Sequence, residues 1–118
     1  MTEAGVATFR RLELVDARGR TRIVLGDLGP GAGTGIALLD DDGRRRLIAS
    51  LDEGGPVLVF DQGGNIRLEV GVHDAVPDAV HVGPYAMLND GDGRPALAVF
   101  VGANGSLRFI GLEDGSAP

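Results

Sequence analysis

The sequence has no cysteine, no lysine and no tryptophan. Each absence excludes something. Without Cys there is no disulfide, no thiolate nucleophile and no cysteine-ligated zinc or iron–sulfur centre. All eleven basic residues are Arg, and seventeen Asp and Glu outnumber them, which leaves a formal charge of −6. A chain of that sign gains nothing from counterion release, so neither nucleic acid nor an anionic membrane is an expected partner. Aromatic residues are 4% of the chain, too few for a base-stacking platform. No apolar run approaches the roughly 20 residues of a membrane-spanning helix. The first eight residues carry Glu3 where a secretory leader would carry basic charge. These features predict a cytoplasmic protein, and Arg without Lys beside abundant Ala, Gly and Asp is the composition of a GC-rich bacterium.

What is present is ordinary for a folded domain: 43% hydrophobic residues, 24% charged residues and 118 positions, enough for one modest core. The expected division is an N-terminal tail over 1–8, a single domain over 9–112 and a C-terminal tail over 113–118. Twenty glycines punctuate the apolar runs and make long helices improbable.

A pattern Asp-x-x-Gly-x-x-Arg organises the chain. It occurs at Asp16, Gly19 and Arg22, at Asp40, Gly43 and Arg46, and at Asp61, Gly64 and Arg67. A fourth copy has Asp90 and Gly93 with Ala96 in the Arg place, and a degenerate fifth has Gly102, Gly105 and Arg108. Asp at the first turn position can accept bonds from backbone amides ahead of it, and Gly at the fourth tolerates the left-handed conformation that closes a type I turn with a bulge. Each copy therefore reads as a hairpin tip, and the apolar runs between tips read as strands at 9–15, 20–26, 35–39, 45–51, 56–60, 65–71, 84–89, 95–101 and 106–112. The expected fold is all-β: an antiparallel meander of about nine short strands, curled into a barrel or sandwich or paired through an oligomer interface. The Asp-bearing tips at 16–19, 40–43, 61–64 and 90–93 fall at one end of the sheet. Loops of varied length, near 27–34, 52–55, 72–83 and 102–105, fall at the other.

Pairing about the tips predicts an Arg22–Glu13 cross-strand ion pair and an inward set of Leu12, Leu14, Ile23, Leu25, Ile36, Leu38, Leu47, Ala49, Leu51, Val57, Val59, Ile66, Leu68 and Val70. The opposite face then holds Leu39, Ile48, Leu58, Phe60, Met87, Phe100 and Ile110, more apolar surface than a solvated sheet should show. Leu58, Phe60, Met87 and Phe100 are accordingly the expected interface residues of a homo-oligomer. The rhythm Leu-x-Leu-x-Asp-x-x-Gly-x-x-Arg resembles that of uncharacterised bacterial short β-hairpin repeat proteins over residues 9–112, and the resemblance implies an all-β fold with no activity attached.

Candidate chemistry is sparse. The acidic runs Asp40-Asp41-Asp42-Gly43 and Asn89-Asp90-Gly91-Asp92-Gly93 suggest calcium, but placing either glycine at the sixth position of a helix-loop-helix calcium loop puts Leu38 or Leu88 first and Ala49 or Val99 twelfth. They read as solvated turns, and no metal or other cofactor is expected. The same runs approach sialidase-type Asp boxes but carry Arg46 where an aromatic belongs. The glycine-rich stretch from Gly29 to Gly35 lacks the Lys of a phosphate loop and reads as a plain connection. His73, His81 and Tyr85 gather in or beside the longest irregular segment and are the candidate ligand-binding residues; their spacing matches no zinc motif, and solvent-exposed loop histidines are the plainer reading. No nucleophile with a base and an orienting group can be assembled, so no catalytic residue is nominated and an enzyme is not expected. The expected function is a non-enzymatic structural or protein-interaction module that self-associates. The alternative is a small-molecule or carbohydrate-binding β domain using the 72–85 loop.

Overall fold

The structure is a computed structural model, and it describes residues 5–75 and 81–111. Residues 1–4 of the expected N-terminal tail, 76–80 of the 72–85 loop and the C-terminal tail 113–118 lie outside the described residues. The strands are β1 (Arg11–Val15), β2 (Thr21–Asp27), β3 (Thr34–Leu39), β4 (Arg45–Asp52), β5 (Gly55–Gln62), β6 (Asn65–His73), β7 (Gly83–Asn89), β8 (Pro95–Val101) and β9 (Leu107–Ile110). They form one nine-stranded sheet in sequence order, antiparallel throughout, with β1 and β9 at opposite edges. The sheet is not closed into a barrel, so the curled form anticipated from the sequence is an open single layer.

The tips carry out the chemistry expected of them. At three of them the Asp amide donates to the carbonyl four residues on while the Gly amide donates back to the Asp carbonyl: Asp16 with Arg20 and Gly19, Asp40 with Arg44 and Gly43, Asp90 with Arg94 and Gly93. In each the Asp Oδ1 also accepts from the second and fourth following amides at 2.9–3.1 Å. Gly19, Gly43 and Gly93 have φ of 79°, 81° and 82°, which L side chains adopt only under strain. The tip at 61–64 is different. Gln62 pairs directly with Asn65 across a two-residue Gly63-Gly64 turn, and Asp61 Oδ1 accepts only from the Gly64 amide, at 3.2 Å.

All four tips are followed by a register shift, and the same motif position supplies it. Leu14 pairs with Ile23 and Val15 with Thr21, leaving Arg22 as the extra residue; Arg46, Arg67 and Ala96 are left over in the same way. Such bulges re-aim a side chain. Here three arginines reach the next hairpin: Arg22 Nε donates to the Leu39 carbonyl at 3.1 Å, Arg46 Nε to Asp61 at 2.7 Å and Arg67 Nε to Asn89 at 2.9 Å. The Arg22–Glu13 pair is therefore not formed. The bulge moves Arg22 onto Asp16 and Asp41, and Glu13 pairs with Arg11 and accepts from Thr21.

Register also fixes the faces, because directly paired residues share one. One row crosses all nine strands as Leu12, Leu25, Ile36, Ala49, Leu58, Val70, Ala86, Val99 and Phe109. Beside it runs a second row, Leu14, Ile23, Leu38, Leu47, Phe60, Leu68, Leu88 and Leu97. Neither row contains a polar residue. We call this the apolar face. The row behind it is mixed: Glu13, Val24, Ala37, Ile48, Val59, Glu69, Met87, Ala98 and Ile110.

Two expectations are corrected here. Val57 and Val59 lie on the mixed face and Leu58 and Phe60 on the apolar one, because Asp52 pairs with Gly55 across a two-residue turn and Ala49 then faces Leu58. The apolar face, expected to be the inward one, is also the open one: Ile36, Val70 and Leu88 are 44%, 43% and 47% exposed. Complete burial occurs instead on the mixed face, at Val24 and Ala37, where the 28–33 connection folds back and seats Leu28 against them. That connection, expected to be plain, is held by Leu28 N to the Gly33 carbonyl at 3.0 Å and by Arg45 Nη2 to the Leu28 carbonyl at 2.6 Å.

Candidate functional sites

The end of the sheet opposite the Asp tips brings the three candidate binding residues together on the mixed face. His73, near the end of β6, stacks on Tyr85 of β7 with ring centroids 4.0 Å apart and planes 20° apart. His81 meets His73 edge-on at 5.7 Å, and on its other side meets Phe100 of β8 at 5.0 Å. His81 Nε2 lies 3.2 Å from the Pro84 carbonyl oxygen, a hydrogen bond when that nitrogen carries the proton. Phe100, which the sequence placed with the interface residues, thus completes an aromatic cluster.

Tyr85 is the buried member, and a glycine makes room for it. Gly71 pairs with Tyr85, and a Cβ on Gly71 would stand 2.9 Å from the Tyr85 hydroxyl oxygen and 2.7 Å from the Pro56 carbonyl oxygen. The Tyr85 hydroxyl donates to Glu69 Oε2. Burial first, then that bond and the negative charges of Glu69 and Asp52, push the phenol well above its ordinary titration range. At neutral pH it is a fixed neutral donor and supplies no phenolate. A cavity of about 220 Å³ lies alongside, bordered by Asp52, Pro56, Glu69, Val72, His73 and Tyr85. That is below the roughly 300 Å³ at which small-molecule sites begin. Nothing in the sequence pattern marks Asp52 and Glu69; the β4–β5–β6–β7 register brings them to this place. Among the described residues no three His, Cys, Asp or Glu converge to hold a metal ion.

The four expected interface residues are not on one surface. Leu58 and Phe60 are on the apolar face, Met87 and Phe100 on the mixed one. The apolar face is the larger feature, and toward the loop ends of β3 to β7 it holds a shallow depression of about 610 Å³ bordered by Ile36, Ala49, Leu51, Pro56, Leu58 and Val70. The depression follows from side-chain size, since Ala49 and Pro56 sit among Leu and Ile.

No family model, no curated protein and no solved structure matches the chain. Among the described residues, no helix is long and apolar enough to cross a membrane.

Proposed function

We propose that the protein is a non-enzymatic interaction module of the bacterial cytoplasm whose working surface is the apolar face. The observation behind this reading is the pair of uninterrupted apolar rows, which no segment of the described chain covers. An antiparallel sheet with one solvated face ordinarily alternates, polar side out. Here the open side is the apolar one, and each exposed Leu or Phe forgoes about 1.5–3 kcal/mol of burial. Contiguous apolar surface of this extent marks an interaction site. The aromatic cluster at the far end is consistent with a packing role, since the cavity beside Glu69 and His73 is small and its tyrosine is committed to Glu69.

The test uses a dye that fluoresces on exposed apolar surface. Wild-type protein at nanomolar concentration is expected to bind it in the folded state, and Leu88→Glu to bind it less. A folded protein that binds no dye when dilute and shows no association when concentrated would overturn the reading.

A further inference from the structure

We infer that the apolar face is closed by a second copy of the same chain, the two sheets packing face to face as a two-fold symmetric dimer. The inference rests on the reading above and names the occupant of that surface. Three observations lead to it.

The first is extent. Nine strands spaced at ~4.8 Å and about six residues long at ~3.3 Å each give a face of roughly 800 Å². Each partner of a standard stable interface contributes about that area. A docked strand or helix would cover only two or three of the nine strands and leave the remaining leucines in water.

The second is polarity. The two rows cross the sheet with no charged or hydrogen-bonding side chain. A partner must therefore be equally broad and equally apolar. The chain's own face has that breadth, that composition and the same twist, and two copies of one sheet pack at the aligned angle that twist dictates, about 30°.

The third is charge, which selects the arrangement. The seven tip aspartates are offset by eight arginines on and beside the tips, so the acidic end of the sheet is the other one, with Asp27, Asp52, Glu53 and Asp74 against Arg10 and Arg11. A two-fold axis running across the strands sets each strand over its own copy in reverse direction, so all nine strands overlap and the two acidic ends lie at opposite ends of the dimer. An axis along the strands would stack acidic end on acidic end. The same charge, and the net −6 of the chain, works against a lipid surface as the occupant, because anionic bilayers repel it.

Sedimentation equilibrium on the full chain, from nanomolar to 100 micromolar, tests the inference. Wild type is expected to reach twice the monomer mass, with dye binding falling as the mass rises. Phe60→Glu on the apolar face, and Leu88→Glu at a position already exposed in the single chain, should each raise the association midpoint by about a hundredfold, because pairing then buries a carboxylate without a partner. Phe100→Glu, on the mixed face, should leave the midpoint unchanged. A wild type that stays monomeric at 100 micromolar overturns the inference; continued dye binding in that state would leave the face an interaction surface for something else, and loss of dye binding would end both readings. Binding of that monomer to neutral phosphatidylcholine vesicles would make lipid the occupant and also overturn the dimer. Equal weakening by Phe100→Glu would contradict the face assignment on which the pairing depends.

Discussion

Arg67 Nε donates to the backbone carbonyl of Asn89 at 2.9 Å, and the Asn89 side chain returns a bond to the carbonyl of Ile66 at 2.8 Å. The two residues are 22 positions apart and sit on adjacent strands, β6 and β7. This reciprocal stitch is the most complete form of a device used three times, in which the bulge arginine of one hairpin holds the backbone where the next hairpin enters its tip. A single-layer sheet has little core to fix strand order, so such clamps carry more of its specificity than they would in a sandwich.

Truncating a clamp removes a charged donor from a backbone carbonyl. Arg46→Ala and Arg67→Ala should each cost about 1 kcal/mol, since charge-assisted bonds are stronger than neutral ones but these side chains are partly solvated. Ala96→Arg should return nothing, because β9 carries no tip among the described residues for it to reach. Urea midpoints of the three variants check both statements. A stabilising Ala96→Arg would show that the clamp acts within its own hairpin.

The tip aspartates give acid sensitivity. In Asp40 and Asp90 the amides of Arg44 and Arg94 bond the carboxylate first, and further amides and nearby guanidinium groups add to the effect, holding both below the ordinary carboxylate range. At Asp16 burial acts the other way, but the Arg20 and Arg18 amides and the Arg22 and Arg20 side chains outweigh it and the shift is again downward. A carboxylate depressed in the folded state stabilises it above the unfolded pKa of about 3.9, and that stabilisation is lost as pH falls through the folded value. The urea midpoint of wild type should thus be level from pH 7 to about 5 and fall below about 4. The triple variant with Asp16→Ala, Asp40→Ala and Asp90→Ala should be less stable at pH 7 and show a shallower acid fall. An equally steep fall would place the acid-sensitive groups elsewhere.

Tyr85 is the single tyrosine, so tyrosinate absorbance reports one residue. Its phenol is raised in the folded state, so stability is complete below the unfolded value of about 10 and declines as pH rises beyond it. Folded protein at pH 11 should show little tyrosinate absorbance, and Glu69→Gln, which removes one of the negative charges, should bring titration to lower pH while the fold persists. Ordinary titration near pH 10 in folded wild type would mean that Tyr85 is open to water.

Local chemistry was legible in the sequence and its spatial consequences were less so. The turn residues announce the tips, and strand limits follow them to within about two residues. A bulge belongs to each turn as its Asp and Gly announce it, but the alternation of the flanking strands does not place it at Arg22, Arg46 and Arg67, and the parity change at Asp52–Gly55 depends on a two-residue turn that a longer loop of similar composition would equally have allowed. One such change moves every side chain of a strand to the other face, which is why Leu58 and Phe60 were separated from Leu47 and Ala49. His73, His81 and Tyr85 were legible as a group because one hairpin carries them. Glu69 shares that hairpin but is fixed only by its register, Phe100 and Asp52 come from β8 and β4, and the separate burial of Leu28 depends on a fold-back that glycine content alone does not reveal.

One sheet carries an open apolar face and a partly covered mixed one. Because the chain has no cysteine, single cysteines can be placed on each side and read by thiol labelling. Ile36→Cys and Leu88→Cys report the apolar face, Val24→Cys and Ala98→Cys the mixed face, where the native residues are each 1% exposed. In folded protein at nanomolar concentration, labelling is expected to be fast at the first two positions and slow at the second two. Protection of Ile36→Cys and Leu88→Cys at every concentration, with the chain monomeric, would mean that the chain covers its own apolar face and would contradict the single-layer fold.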